Sequence, residues 1–169
     1  MKVLIHDLSE KIINKLNLPK DIIIIDTKQK YSHCVGCFKC WTKHPTQCFI
    51  KDYLKNIGTI LGKSEEIVII SQNCYGSYSP KIKNVLDRAI SMSNPMSTYR
   101  HKEMHHCRRY KQPSKLRVFV YGEINNNEKI TFNELVKRNE INFGCNESSI
   151  YFLKDNNMED EIKIWKQCS

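Results

Sequence analysis

Residues 67–90 read IVIISQNCYGSYSPKIKNVLDRAI. Ile67-Val68-Ile69-Ile70 is continuous, β-branched and too short for a helix, the pattern of a strand buried on both faces. After a short polar loop, Ser79 suits a helix N-cap and Pro80 the first helical position. Ile82, Val85, Leu86, Ala89 and Ile90 then fall on one face at helical spacing. A buried strand feeding an amphipathic helix is the unit from which α/β sheets are built.

The same alternation extends in both directions. Val3-Leu4-Ile5 is a first strand, followed by Leu8, Ile12, Ile13 and Leu16 at helical spacing. Ile22-Ile23-Ile24-Ile25 is a second strand. Tyr53, Leu54, Ile57, Ile60 and Leu61 mark a helix ahead of the quoted strand. Leu116, Val118, Phe119 and Val120 form a fourth strand. Thr131 to Glu134 reads as a capping box opening a helix of Phe132, Leu135 and Val136. Ile150-Tyr151-Phe152-Leu153 is a fifth strand, and Ile162 with Trp165 closes on a last helix.

Five strands alternating with helices predict a doubly wound parallel sheet covered on both faces, an α/β fold spanning residues 1–169 as one domain. Ligands of such sheets sit beyond the carboxyl ends of the strands, near the point where strand order reverses. The loops that matter are therefore those after strands one, three and four. Residues 91–115 form one insertion-like segment, and long loops tend to be lids or interfaces.

The loop over residues 31–50 carries Cys34, Cys37, Cys40 and Cys48, spaced C-x2-C-x2-C-x7-C. Three thiols two residues apart can wrap one small inorganic centre, and a fourth a short loop later can close it. That economy leans toward iron–sulfur, because zinc sites more often pair two knuckles across a longer spacer. Packed reduced thiols and disulfides are the alternatives. The N-terminus has no long apolar segment or small-residue cleavage site, and no apolar run approaches membrane-spanning length. The expected setting is the cytoplasm, where cysteines are seldom bridged.

The 169-residue chain has a formal net charge of +9. Arg100, His101, Lys102, His105, His106, Arg108, Arg109, Lys111, Lys115 and Arg117 crowd one segment whose one acid is Glu103. Such a field attracts anions, although most basic stretches are solvated loops. Aromatics are sparse there and no nucleic-acid motif accompanies them, so nucleic acid is the least favoured partner. Adjacent His105 and His106 seldom point at one ion. Asp87-Arg88 reads as a helix-surface or interface pair, and Trp41 as core packing or a cofactor flank.

Three ordered blocks make the chain resemble the flavodoxin-like NADPH-dependent FMN reductase family, in particular its cysteine-containing, iron–sulfur flavoprotein branch. The first block is CVGCFKCW at 34–41 with CFIKD at 48–52. The second is YGSYSP at 75–80 running into KNVLDR at 83–88. The third is EMHH at 103–106 with Arg109-Tyr110, leading to Tyr121-Gly122. The resemblance implies an FMN-linked oxidoreductase or electron-transfer protein, dimeric or tetrameric, fed by NAD(P)H or a protein donor. It implies flavin contacts from Ser9, Cys74, Tyr75, Gly76, Ser77, Tyr78, Ser79 and Gly122. It also implies a four-iron cluster (4Fe-4S) on Cys34, Cys37, Cys40 and Cys48. The cofactor carries hydride chemistry, so no catalytic side chain is expected.

One departure from the family pattern sets up an alternative. The first strand normally feeds a Gly/Ser/Thr-rich loop that holds the FMN phosphate against a helix N-terminus. Here His6-Asp7-Leu8-Ser9-Glu10 runs directly into the helix without a glycine, and Asp7 with Glu10 reads as a capping box. Gln72 and Cys74 also replace residues common in relatives. The alternative is a non-catalytic partner or binding subunit that has lost FMN.

Overall fold

The computed structural model describes residues 1–154 other than 17, 19, 20, 101 and 111–113. The expected last helix around Ile162 and Trp165 lies outside the described residues. Among the described residues, seven strands and four α-helices follow in chain order. They are β1 (Lys2–His6), α1 (Glu10–Ile13), β2 (Ile22–Asp26), α2 (Ile57–Gly62), β3 (Glu66–Gln72), α3 (Pro80–Arg88), β4 (Ser93–Arg100), β5 (Glu103–Arg108), β6 (Lys115–Tyr121), α4 (Asn126–Phe143) and β7 (Glu147–Phe152). Three-residue 3-10 turns follow α1 at Asn14–Leu16 and α3 at Ile90–Met92.

The main sheet has the order β2-β1-β3-β6-β7, all parallel. Counting only its own strands this is 2-1-3-4-5, the flavodoxin-like order, with the switch point between β1 and β3. Register is fixed by burial on both faces: Val3 pairs with Ile23 and Ile67, and Val118 with Ile69 and Ile150. Val3, Ile5, Ile67, Ile69, Leu116 and Val118 share a core with Ile57 and Leu61 of α2, Ile82 and Val85 of α3, and Phe132 and Val136 of α4. On the other face, Leu4, Val68, Ile70 and Phe119 pack with Leu8, Leu16 and Leu153. Among the described residues no helix is long and apolar enough to cross a membrane.

Four expectations change. Within the span 91–115, β4 and β5 pair as an antiparallel hairpin with Tyr99 opposite Met104 and a register shift between Ser93 and Ser97. Its composition, with Asn94, Pro95 and several serines, hides it as strand, because Pro tolerates only edges and bulges. Helix α4 starts earlier than expected, at Asn126, with Asn125 and not Thr131 as its N-cap. Its capping box pairs Asn125 Oδ1 with the Glu128 N–H and Glu128 Oε2 with the Asn125 N–H, both at 3.0 Å. Thr131 is interior and donates its hydroxyl to the Asn127 carbonyl at 3.0 Å. Helix α2 spans only Ile57–Gly62, and Tyr53 instead donates its hydroxyl to the Ile24 carbonyl of β2 at 3.1 Å.

The fourth change concerns α1, which is a single turn. Its N-cap is Ser9, whose side chain makes no capping bond. The expected Asp7–Glu10 capping box is absent because the Asp7 carboxylate is engaged elsewhere, as described next.

Candidate functional site

At the carboxyl edge of the sheet, β1 ends in buried His6 and the chain turns inward at fully buried Leu8. Asp7 reaches across the switch point. Both its carboxylate oxygens accept the Gln72 N–H of β3 at 3.2 Å, and Oδ1 accepts the Tyr121 hydroxyl of β6 at 3.0 Å. Burial and the Asp7 charge push the Tyr121 phenol up, so it stays a donor. Burial also lowers the pKa of His6, whose Nδ1 has no hydrogen-bond partner. The crevice in which this fold holds anions is thus bridged by a carboxylate. A phosphate dianion would meet like charge there, the Tyr121 hydroxyl is already spent on Asp7, and Ser9 is an exposed N-cap two residues on. The residues present do not fit an FMN phosphate at this place.

The loop after β3 is the other half of the edge. Cys74 and Ser77 exchange backbone hydrogen bonds at 2.9 and 3.1 Å, making a tight turn. Tyr75 at its tip has φ +53° and is 89% exposed. Gly76, at φ +75°, is needed for packing: a Cβ there would stand 3.0 Å from the Glu128 carbonyl oxygen of α4. Asn73 ties the turn down, accepting the Gly76 N–H at 3.0 Å and donating to the Glu123 carbonyl at 2.8 Å. Tyr78 is buried edge-on against Phe132 and accepts from Asn139 at 3.1 Å. Ser79 caps α3, its Oγ accepting the Ile82 N–H at 3.4 Å. Gly122, at φ +89°, follows β6 beside Gln72. Ser9, residues 74–79 and Gly122 therefore share one end of the sheet. Cys74, Tyr75 and Ser77 are accessible there, while Gly76, Tyr78 and Ser79 are buried.

The cysteine loop links β2 to α2 and packs on the far end of α3. Arg88, the last residue of that helix, has a side chain with 0% exposure. It donates to both Asp52 oxygens at 2.9 and 2.6 Å, to the Ser32 carbonyl at 2.6 Å and to the Ile50 carbonyl at 3.4 Å. Burial opposes its charge, but the bonds to Asp52 and the Cys48 thiol beside it hold the guanidinium above its usual pKa. Asp52 is likewise pushed up by burial and brought below its usual value by Arg88 and the Ser32 N–H. The reading of Asp87-Arg88 as a surface pair fails for Arg88, which is the buried anchor of the loop. Sequence pattern misses this because an arginine off the apolar stripe counts as solvated, and the signal lay in Asp52, 36 positions away.

Cys34, Cys37, Cys40 and Cys48 line one small pocket with Phe38 and Arg88, with a volume of ≈ 10 Å³. That is room for about one water-sized atom. All four are free thiols. Cys40 is buried, and burial together with the neighbouring Cys48, Cys34 and Cys37 pushes its thiol up. The donor chemistry suits a thiophilic centre. Among the described residues, however, no three His, Cys, Asp or Glu side chains stand ready to hold one metal ion.

Trp41 is anchored, its Nε1 donating to the Ile90 and Ser93 carbonyls at 3.2 and 3.1 Å. Several cations of the hairpin are internal struts. Arg100 donates to the His106 carbonyl at 3.1 Å, Arg109 to the Ser91 carbonyl at 3.2 Å, and Glu103 takes Arg138 of α4 at 2.6 and 2.7 Å.

No protein-family model matches the chain, and no curated protein matches it. Solved structures do. An FMN-dependent NADH-azoreductase from Bacillus anthracis superposes with a TM-score of 0.61 at 12% identity, covering 99% of both chains. An NAD(P)H:quinone oxidoreductase from Methanothermobacter marburgensis gives 0.59 at 11% identity, over 99% of this chain and 96% of that one. An NADPH-quinone reductase from P. pentosaceus gives 0.55 at 12%, over 99% and 95%. At these identities the likeness is one of architecture, and it agrees with the strand order: the chain has the flavodoxin-like α/β fold.

Proposed function

We propose that this chain is a flavin-associated oxidoreductase or electron-transfer protein, taking electrons from NAD(P)H or a protein donor. One observation carries the reading. The exposed turn at Cys74, Tyr75 and Ser77 stands beyond the carboxyl end of β3, beside Gly122, at the edge where this order of strands binds ligands. Similar folds named for FMN, NADH and quinone chemistry support it. A flavin ring would lie against Tyr75 and the backbone of residues 74–77, with Gly122 leaving space at the end of β6. A bound flavin supplies the hydride and electron chemistry. The protein's part is to seat the ring, and Asp7 denies the phosphate its usual place. Cys34, Cys37, Cys40 and Cys48 are the proposed metal ligands, for a 4Fe-4S cluster or zinc, and a homo-oligomer in the cytoplasm is the proposed setting.

A second reading, a binding subunit without flavin, is favoured by the Asp7 bridge alone. An absorbance spectrum of anaerobically purified protein separates the two, with flavin extraction and iron, sulfide and zinc assays on the same sample. The redox reading expects stoichiometric flavin or a spectral change when flavin is added. Neither would be seen for a binding subunit, and any metal found would then belong to a cysteine site working alone.

A further inference from the structure

A cleft of ≈ 340 Å³ opens between the cysteine loop, the end of α3, the base of the hairpin and the end of α4. It is separate from the carboxyl edge: α3 lies between them, nine residues long, or about 13 Å at ~1.5 Å per residue. It is lined by Phe38, Trp41 and His106, whose rings run on from one another, and by Ile90, Met92 and Phe143. A volume above about 300 Å³ with mostly apolar, aromatic walls and a few polar groups is the usual make-up of a small-molecule site.

Three details show a built surface. The rings form a series, Phe38 stacked on Trp41 at 5.5 Å between centroids and Trp41 tilted on His106 at 4.6 Å. Two carbonyls fix the Trp41 ring, so it is ordered before any ligand arrives. Phe38 holds φ +52° and is 51% exposed. A left-handed conformation at a non-glycine residue costs about 1–2 kcal/mol, and here it presents an aromatic ring to solvent without burying it. Such strain gathers where a ligand is clamped.

We propose that this cleft binds a flat, fused-ring aromatic molecule bearing carbonyl or similar acceptors, stacked against Phe38 and Trp41. Flatness follows from the ring walls, which favour offset stacking. Acceptors follow from the polar lining, because the His106 imidazole and the Asn142 amide both carry N–H groups able to donate. Phe38 and Ile90 also line the four-cysteine pocket, so a ring bound here lies one side-chain layer from the thiols. The proposal needs neither flavin nor metal and stands apart from the proposed function.

Trp41 is a built-in reporter, since the chain has two tryptophans and Trp165→Phe leaves it as the one emitter. The probe is anthraquinone-2-sulfonate, whose fully substituted quinone ring does not alkylate thiols, titrated into the metal- and flavin-free chain. Saturable one-site quenching is expected. Phe38→Gly suits the backbone and keeps the fold, and it should weaken binding about tenfold, the worth of a lost stack. His106→Ala, at the far end of the ring series, should weaken it as well. Linear, unsaturable quenching overturns the proposal. So does binding lost in Tyr75→Ala but kept in Phe38→Gly, which would place the probe at the carboxyl edge. A dimer that excludes the probe and dissociates in Phe38→Gly also overturns it, because the cleft would then be covered by a second copy.

Discussion

The two ends of α3 carry opposite kinds of order. At its start, beside the carboxyl edge of the sheet, polar groups are tied to one another: Asp7 to Gln72 and Tyr121, Asn73 to Glu123 and Gly76, Tyr78 to Asn139. At its end sit four free thiols, an exposed Phe38 in a left-handed conformation and a buried Arg88 whose Nε has no hydrogen-bond partner. The edge at which this fold takes ligands is closed internally where phosphate would go. The cysteine end is open, strained and aromatic. Four of the free thiols among the described residues therefore collect one helix length away from the switch point, where Cys74 and the left-handed Tyr75 remain.

The largest effect should come from breaking the anchor of the cysteine end. Arg88→Met leaves Asp52 without its partner in a largely buried site, and removing one member of a buried pair costs about 3–5 kcal/mol. Denaturant unfolding measures it, and a loss below about 1 kcal/mol would mean that the loop is held by packing alone. Asp7→Ala tests the other end. It removes the acceptor of the half-buried Tyr121 hydroxyl and of the exposed Gln72 N–H, a loss of about 0.5–1.5 kcal/mol, whereas Asp7→Asn keeps an acceptor and should recover part of it.

Acid should reach the two ends at different pH. The folded pKa of His6 is lowered by burial. Its contribution is complete above its unfolded value near 6.5 and is lost as pH falls through the folded one. The folded pKa of Asp52 is lowered by Arg88 and the Ser32 N–H against the pull of burial. Its contribution is complete above about 3.9 and is lost only as pH falls further. Stability should therefore decline in two stages, the first removed by His6→Phe and the second by Asp52→Asn. A single decline unaffected by His6→Phe would contradict the first assignment. The smallest effect is a gain: Tyr75→Gly relieves a left-handed residue that packs on nothing, and should stabilise by about 0.5–1 kcal/mol. The same change should weaken any ring held at that turn, read as faster flavin release.

The sheet was legible because β-branched runs such as Ile22-Ile23-Ile24-Ile25 and Ile67-Val68-Ile69-Ile70 have little alternative to burial. Ser79 and Pro80 likewise marked the start of α3 by local chemistry alone. The β4–β5 hairpin was not legible, since a half-exposed strand containing Pro95 and Asn94 carries no apolar period. Asp7 illustrates the same limit in the site. Its neighbours in sequence suggest a helix cap, and only the parallel register brings Gln72 and Tyr121 to its carboxylate. The anchoring role of Arg88 depends in the same way on Asp52, Ser32 and Ile50, three residues of a loop without regular structure.

The claim at the centre of this account is that Asp7 closes the phosphate crevice. The direct measurement compares FMN with riboflavin on the wild-type chain and on Asp7→Ser, by equilibrium titration at fixed salt. FMN should have no advantage over riboflavin on the wild type and should gain one on Asp7→Ser, where a hydroxyl replaces the carboxylate. Wild-type protein that holds FMN about tenfold or more tightly than riboflavin, a preference of about 1.4 kcal/mol, would contradict it.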